Sequence, residues 1–289
     1  MATNTITDLA IIIPHYNDVV RLERCLAALM VQDLSGAEVV VVDNGSTQPM
    51  DHLRATHPGA RFVHEPGKGA ALARNRGVAE TTAPILAFLD ADCLPAPDWV
   101  AQARRAGGQP GDIFGGRIDV FDETPGPRTG AEAFETVFAF DWRGYIEKKG
   151  FTVTANMVTR REVFAAVGPL INGVSEDLEW CHRARSKGFR LVTAPDLRVG
   201  HPSRSDWAAL RKKWHRMTRE GYELAGTGAR LKWALRGLAM PVSAVAHLPK
   251  VMLNDRLDGQ EKLRGAGTLI RLRCLRMAWM LRQAAGRTI

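Results

Sequence analysis

Short, uninterrupted apolar runs set off by helical patterns give the first expectations. Leu9-Ala10-Ile11-Ile12-Ile13 stops at Pro14, and Val39-Val40-Val41-Val42 stops at Asp43. Runs this short, without polar alternation, mark strands buried on both faces. Between them Leu22, Cys25, Leu26, Leu29 and Met30 recur at helical spacing, with Asn17 or Asp18 available as the cap. Strand, helix and strand in that order make a βαβ unit, hence a parallel sheet with a right-handed crossover. Phe62-Val63 predicts a third strand, Ala70 to about Glu80 a helix, and Ile85 to Leu89 a fourth strand.

The later pattern is less regular. Residues 112–120 predict a strand whose Gly115-Gly116 marks a close approach to the backbone. Phe151 to Val158 predicts another strand, and a short helix opens at Arg160-Arg161-Glu162 and ends at Gly168-Pro169. The next helix begins near Glu176 with Leu178, Cys181 and Arg185 on one face, and Phe189 to Val192 form a last short strand. Beyond Pro202, Trp207, Leu210, Trp214 and Met217 recur every three or four residues among Arg211, Lys212, Lys213, Arg216 and Arg219, an amphipathic cationic helix. Gly237 to Pro249 carries no Asp, Glu, Lys or Arg. It is shorter than the about 20 apolar residues that span a bilayer, so it suits a core or interfacial segment. A final helix is expected around Leu263 to Arg282.

The 289 residues suffice for one large α/β core and a smaller appendage. Residues 1–202 carry 21 Lys and Arg against 25 Asp and Glu, whereas residues 203–289 carry 18 against 6. The basicity therefore belongs to the tail, and it points to an anionic partner such as a membrane surface, a lipid-linked phosphate or nucleic acid. Cys25, Cys93, Cys181 and Cys274 contain no C-x-x-C pair, which argues against a zinc knuckle and suits a reducing cytosol. The polar start, Met1 to Asp8, lacks the pattern of a signal peptide.

In an open parallel sheet, ligands bind outside the carboxyl ends of the strands, and polar clusters stand at each such end here. Asp90 and Asp92 follow the fourth strand, where one or two carboxylates hold a divalent cation whose other ligands are diphosphate oxygens. Tyr16 or His15 can stack on a base, and Asp43 or Asn44 can accept its N–H groups. Gly67 and Gly69 admit a close backbone approach, with Lys68, Arg74 and Arg76 as cations for a diphosphate. Neither G-x-x-x-x-G-K-[ST] nor G-x-G-x-x-G is present. In the aromatic segment from Phe134 to Tyr145, Trp142 beside Arg143 is the candidate sugar platform. Glu176 and Asp177 fall in a helix's first turn, and a carboxylate facing an acceptor hydroxyl can take its proton.

Ile13-Pro14-His15-Tyr16-Asn17, Val42-Asp43-Asn44-Gly45-Ser46, Gly69 with Ala73-Arg74-Asn75-Arg76-Gly77, and Phe88-Leu89-Asp90-Ala91-Asp92 with Pro97-Asp98-Trp99 together resemble the inverting family 2 glycosyltransferases of the GT-A fold. The resemblance covers roughly the first two hundred residues. It implies an α/β, mostly parallel central sheet flanked by helices, a GT-A domain over 1–202 with a nucleotide-sugar-binding half (1–110) and an acceptor half (111–202), and a helical basic extension over 203–289. Pro14, His15, Tyr16, Asn17, Asp43, Asn44, Lys68, Arg74 and Asp90 would bind the donor, a UDP-sugar by preference. Asn44 stands where the commoner pattern has a second Asp. Asp92 would ligate Mg²⁺ or Mn²⁺, and His201 would reach the metal or diphosphate. Asp177 would be the base, with Trp142, Asn156 and Glu176 toward a glycan or lipid-linked acceptor. The expected setting is cytoplasmic, at the inner face of an anionic membrane, in cell-surface polysaccharide or glycolipid synthesis. A sugar nucleotidyltransferase is the alternative within the same sheet, but it carries a glycine-and-arginine loop where this chain has Pro14-His15-Tyr16-Asn17. A non-catalytic binder of membrane or anionic polymer leaves the aligned carboxylates unexplained, and nucleic acid is not the expected partner.

Overall fold

The computed structural model describes residues 7–289; most of the polar start lies outside the described residues. The first part of the chain runs β1 (Leu9–His15), α1 (Val19–Met30), β2 (Ala37–Asp43), α2 (Asp51–Thr56), β3 (Ala60–His64), α3 (Ala70–Ala79), β4 (Ile85–Leu89), β5 (Leu94–Pro95) and α4 (Trp99–Gly107). Then come β6 (Ile113–Phe121), α5 (Gly130–Phe138), α6 (Trp142–Gly144), β7 (Asn156–Arg160), α7 (Arg161–Val167), α8 (Glu176–Ser186) and β8 (Leu191–Pro202). The chain ends in α9 (Trp207–Ala225), α10 (Arg230–Leu238), α11 (Met240–Met252) and α12 (Gly259–Ala284). Two compact units result, one reaching Asp119 and including Asp141–His201, the other Val120–Phe140 with Pro202–Ile289. Residues 120–140, expected within the acceptor half, thus belong with the helical end of the chain.

In the first unit the strands lie in the order β3-β2-β1-β4-β7-β6-β8-β5. β3, β2, β1 and β4 run parallel, in the register Ile12↔Val40 and Ile12↔Phe88. β7 is antiparallel to both β4 and β6, so the sheet is mixed beyond β4. Leu9 to Ile13 are wholly buried, as continuous apolar runs require. α1 buries Leu22, Cys25, Leu26 and Leu29, and Asp18 caps it by accepting from the Arg21 amide.

Several elements differ from their sequence expectation for identifiable reasons. β1 continues through Pro14 to His15, because its pairing with β4 ends at Ile12 and a residue without N–H breaks no bond on that side. β7 starts at Asn156, not Phe151, and β8 is twelve residues long. α8 turns Trp180, Cys181 and Ala184 inward in place of Leu178 and Arg185, with the Trp180 indole donating to the Gly168 carbonyl at 2.8 Å. The close approach at Gly115-Gly116 comes from the fold itself: a Cβ on Gly116 would lie 2.1 Å from Asn156 Nδ2.

In the second unit α5, α9, α11 and α12 enclose a core containing Phe134, Leu210, Ala244, Val251, Leu269 and Leu272. Phe138, Trp207 and Trp214 pack against it, so the α9 stripe faces inward from Trp207 to Trp214, while Met217 is exposed. Glu135, 1% exposed, accepts from Arg204 and Lys213, which neutralises a carboxylate that burial alone would forbid. No helix among the described residues is long and apolar enough to cross a membrane.

Candidate active site

A cavity of about 470 Å³ opens beyond the carboxyl ends of the parallel strands, lined by residues that follow β1, β2 and β4 and by the start of α3. Of the predicted donor residues, Pro14, His15, Tyr16, Asn44, Lys68, Arg74 and Asp90 line it, as does Asp92. Tyr16 is 57% exposed, with its ring free to receive a planar group. Asp18, Gly69, Ala70 and Ala73 also line the cavity. Of these, Asp18 was legible only as a helix cap.

Arg74 organises the floor of this cavity. It is 4% exposed, and its guanidinium donates to Asp90 Oδ1 at 2.6 Å and to Glu176 Oε1 at 2.9 Å. Burial opposes the arginine's charge, but Asp90 and Glu176 outweigh it and hold the group above its ordinary range. One guanidinium therefore joins the carboxyl end of β4 to the first turn of α8. Asn75, the next residue, exchanges two 2.9 Å hydrogen bonds with the backbone of Leu170. Asn172 donates to the Lys68 carbonyl at 2.8 Å. These clamps fix the approach to α8 against α3, and nothing in the residue pattern alone marked them.

Asp177 lies next to Glu176 and is half-buried. Burial, with the negative charges of Glu176 and Asp90, pushes its carboxyl up to about 6, against the Leu178 amide and Arg74, which favour the charged form. A carboxyl so poised takes a proton readily near neutrality. Asp90 and Asp177 thus converge through Arg74 although they lie far apart in sequence.

Other candidates have structural duties. Asn156 is fully buried; its Oδ1 accepts from the Trp99 indole at 2.9 Å, and its Nδ2 donates to the carbonyls of Arg117 and Leu197. Every polar atom of its side chain is engaged, so it is not an acceptor-binding group. Asn17 does not line the cavity. Its backbone sits at φ 49°, a region Asn tolerates, and its Oδ1 accepts from the Thr47 amide at 2.8 Å, bracing one strand end against the next. The Asn44 amide donates to Glu65 and Gly67 carbonyls, while its oxygen accepts from the Gly69 amide at 2.7 Å, so this cavity-lining residue also shapes the glycine loop. Asp43 accepts from the Ser46 amide at 3.1 Å and lies 3.7 Å from His15 Nδ1. Burial opposes its charge, but the Ser46 hydrogen bonds hold its carboxyl below the usual range. Arg76 pairs with Glu80 at 2.7 Å and stands outside the cavity lining. Trp142 is half-buried with Arg143 over its ring and stands outside the cavity lining.

His201, 7% exposed, brings Nε2 to 3.5 Å from Asp92 Oδ2. Among the described residues no group of three or more His, Cys, Asp and Glu converges to hold an ion alone. A carboxylate oxygen and an imidazole nitrogen this close form a partial donor set. It fits a divalent cation whose remaining ligands come from a diphosphate.

Residues 10–168 match glycosyl transferase family 2. The chain is 30% identical over 222 residues to glycosyltransferase AglE of Haloferax volcanii, covering 73% of this chain and 72% of that one. Among solved structures, it is similar to the mannosyltransferase PcManGT of Pyrobaculum calidifontis in complex with GDP-Man and Mn²⁺, at a TM-score of 0.55 and 20% identity over 98% of this chain and 74% of that chain. GalNAc-T7 with UDP, GalNAc and Mn²⁺ aligns at a TM-score of 0.53 and 17% identity, over 71% of this chain and 45% of that chain. Both solved neighbours carry the GT-A fold.

Proposed function

The chain belongs to glycosyl transferase family 2, and from that premise we propose that it moves a sugar from a nucleoside diphosphate donor to an acceptor hydroxyl with inversion. The carrying observation is the Arg74 bridge, which joins Asp90 at the donor cavity to the helix turn that bears Asp177. Tyr16 and His15 receive the base, and Lys68 meets the diphosphate. Arg74 fixes Asp90 toward the ribose or sugar. Asp92 and His201 would hold Mg²⁺ or Mn²⁺, which supplies charge neutralisation at the leaving diphosphate. Asp177 takes the acceptor proton as the new C–O bond forms, and Glu176 with Arg74 orients that turn. Trp142 keeps a place in this reading as a platform for a larger acceptor.

The donor favoured here is a UDP-sugar and the acceptor a glycan or lipid-linked saccharide, in cell-surface polysaccharide or glycolipid synthesis. The setting is cytoplasmic, at the inner membrane face. The solved neighbours carry GDP-Man in one case and UDP in the other, so both bases belong in the test. Calorimetry with UDP, GDP and dTDP, with and without Mn²⁺, should give metal-dependent binding that Asp92→Ala abolishes. Binding indifferent to metal would overturn the assignment of Asp92 and His201.

A further inference from the structure

On α9 the residues Trp207, Leu210 and Trp214 of the apolar stripe face the second unit's core, but α10 and α11 leave aliphatic side chains exposed. On α10, Trp233 packs with Met240 and Met280, and Lys232 and Arg236 occupy one flank. Leu231, Leu235 and Leu238, spaced four and three apart, form a separate stripe that is 73%, 58% and 55% exposed. On α11, Val242 and Val245 are 71% and 66% exposed and Met252 is 43% exposed. The intervening exposed positions Ala246 and Pro249 carry no charge, and Lys250, exposed beside them, adds a cation. Both helices pack along α12, α10 with Gly237 at Met280 and α11 with Val251 at Gly265. Exposed aliphatic side chains that recur along both helices in this way are unusual on a surface that meets only water.

Arginines without an acidic partner among the described residues accompany this face. Arg236 lies over the Trp233 ring, and Arg273 of α12 points Nη1 at Met240 Sδ, 3.6 Å away. Arg276 is 9% exposed, stacks over the Trp214 ring at 4.4 Å, and has a buried Nε without a hydrogen-bond partner. Burial pushes Arg273 down, and the charge of Arg236 adds to this. Cations held together against their own repulsion call for an anion.

We propose that the α10–α11 face is a docking surface for an anionic lipid bilayer, its aliphatic side chains entering the headgroup boundary while Arg236 and Arg273 meet lipid phosphates. Charge selects the bilayer over a second copy of this chain. α10 and α11 carry Lys232, Arg236 and Lys250 and no Asp or Glu, so two such faces repel each other and an anionic surface attracts either. The inference rests on the membrane setting proposed above and gives it residues.

Flotation of the full chain with vesicles, with and without an anionic phospholipid, tests it at low salt. The protein should float only with the anionic vesicles. Leu235→Glu with Val242→Glu, both at exposed positions, should cut the bound fraction about tenfold with the melting temperature unchanged. Arg236→Gln should weaken binding while leaving the aliphatic contribution. The idea fails if the protein stays soluble with both vesicle types or if the double variant floats as well as the parent. It fails equally if sedimentation reveals a dimer that the double variant dissolves. Metal-dependent nucleotide binding, measured on the same samples, reports on the catalytic reading independently.

Discussion

Asp177 holds its proton more tightly than an exposed aspartate because burial and the adjoining charges of Glu176 and Asp90 disfavour a further anion. A base must be unprotonated to act, so transfer should rise with pH through about 6 and then level off. Glu176→Gln removes a charge that raises Asp177 and leaves Arg74 freer to favour the anion, so the acid limb of kcat should move to lower pH. Asp177→Asn should abolish transfer with nucleotide binding intact. The linkage has a definite sign: a carboxyl moved from 3.8 to about 6 on folding contributes stability fully below 3.8 and loses it as pH rises to about 6. Above that range the charged group is a burden, so Asp177→Asn should raise stability at pH 7 by about 1–2 kcal/mol, with the gain vanishing in acid. Thermal melts across pH check this. Asn156 offers the converse case. Asn156→Ala strands the Trp99 indole and two carbonyls, so it should cost about 2–4 kcal/mol while the KM values of donor and acceptor stay unchanged.

At the scale of elements, α3 is set by the absence of one side chain. A Cβ on Gly77 would lie 2.4 Å from Ile12 Cγ2, in the wholly buried centre of β1. Gly77→Ala gains about 1 kcal/mol of helix propensity but overpacks a rigid core, so a net loss of about 1–2 kcal/mol is expected in denaturant titration. Because Arg74 sits one turn away on the same helix, transfer should fall more than nucleotide binding does. The strands carrying the donor end were legible because β1, β2 and β4 are buried on both faces and read as unbroken apolar runs. The acceptor side was not, because its determinants are reciprocal amide contacts such as Asn75 with Leu170, which leave no periodicity. Asn156 misled for the same reason: an amide at a strand end can serve a ligand or the backbone, and only packing decides which. The α9 stripe was read correctly as amphipathic, but periodicity cannot say whether a stripe meets protein or membrane.

Across the whole molecule, charge is divided between a slightly acidic body and a strongly basic tail, and the two proposed activities should respond differently to salt. The screening length falls from about 10 Å at 0.1 M to about 3 Å at 1 M. Exposed cations such as Arg236 act on a bilayer across solvent, so vesicle binding should drop steeply over this range. The Arg74 contacts with Asp90 and Glu176, at 2.6 and 2.9 Å around a buried guanidinium, exclude the ions that would screen them. Nucleotide affinity, which draws only on Lys68 and one bound cation at the diphosphate, should fall less steeply than vesicle binding over the same range. Parallel titrations of flotation and calorimetry against sodium chloride measure both. Vesicle binding no more sensitive to salt than nucleotide binding would mean that the charge of the basic extension does not carry its contact with the bilayer.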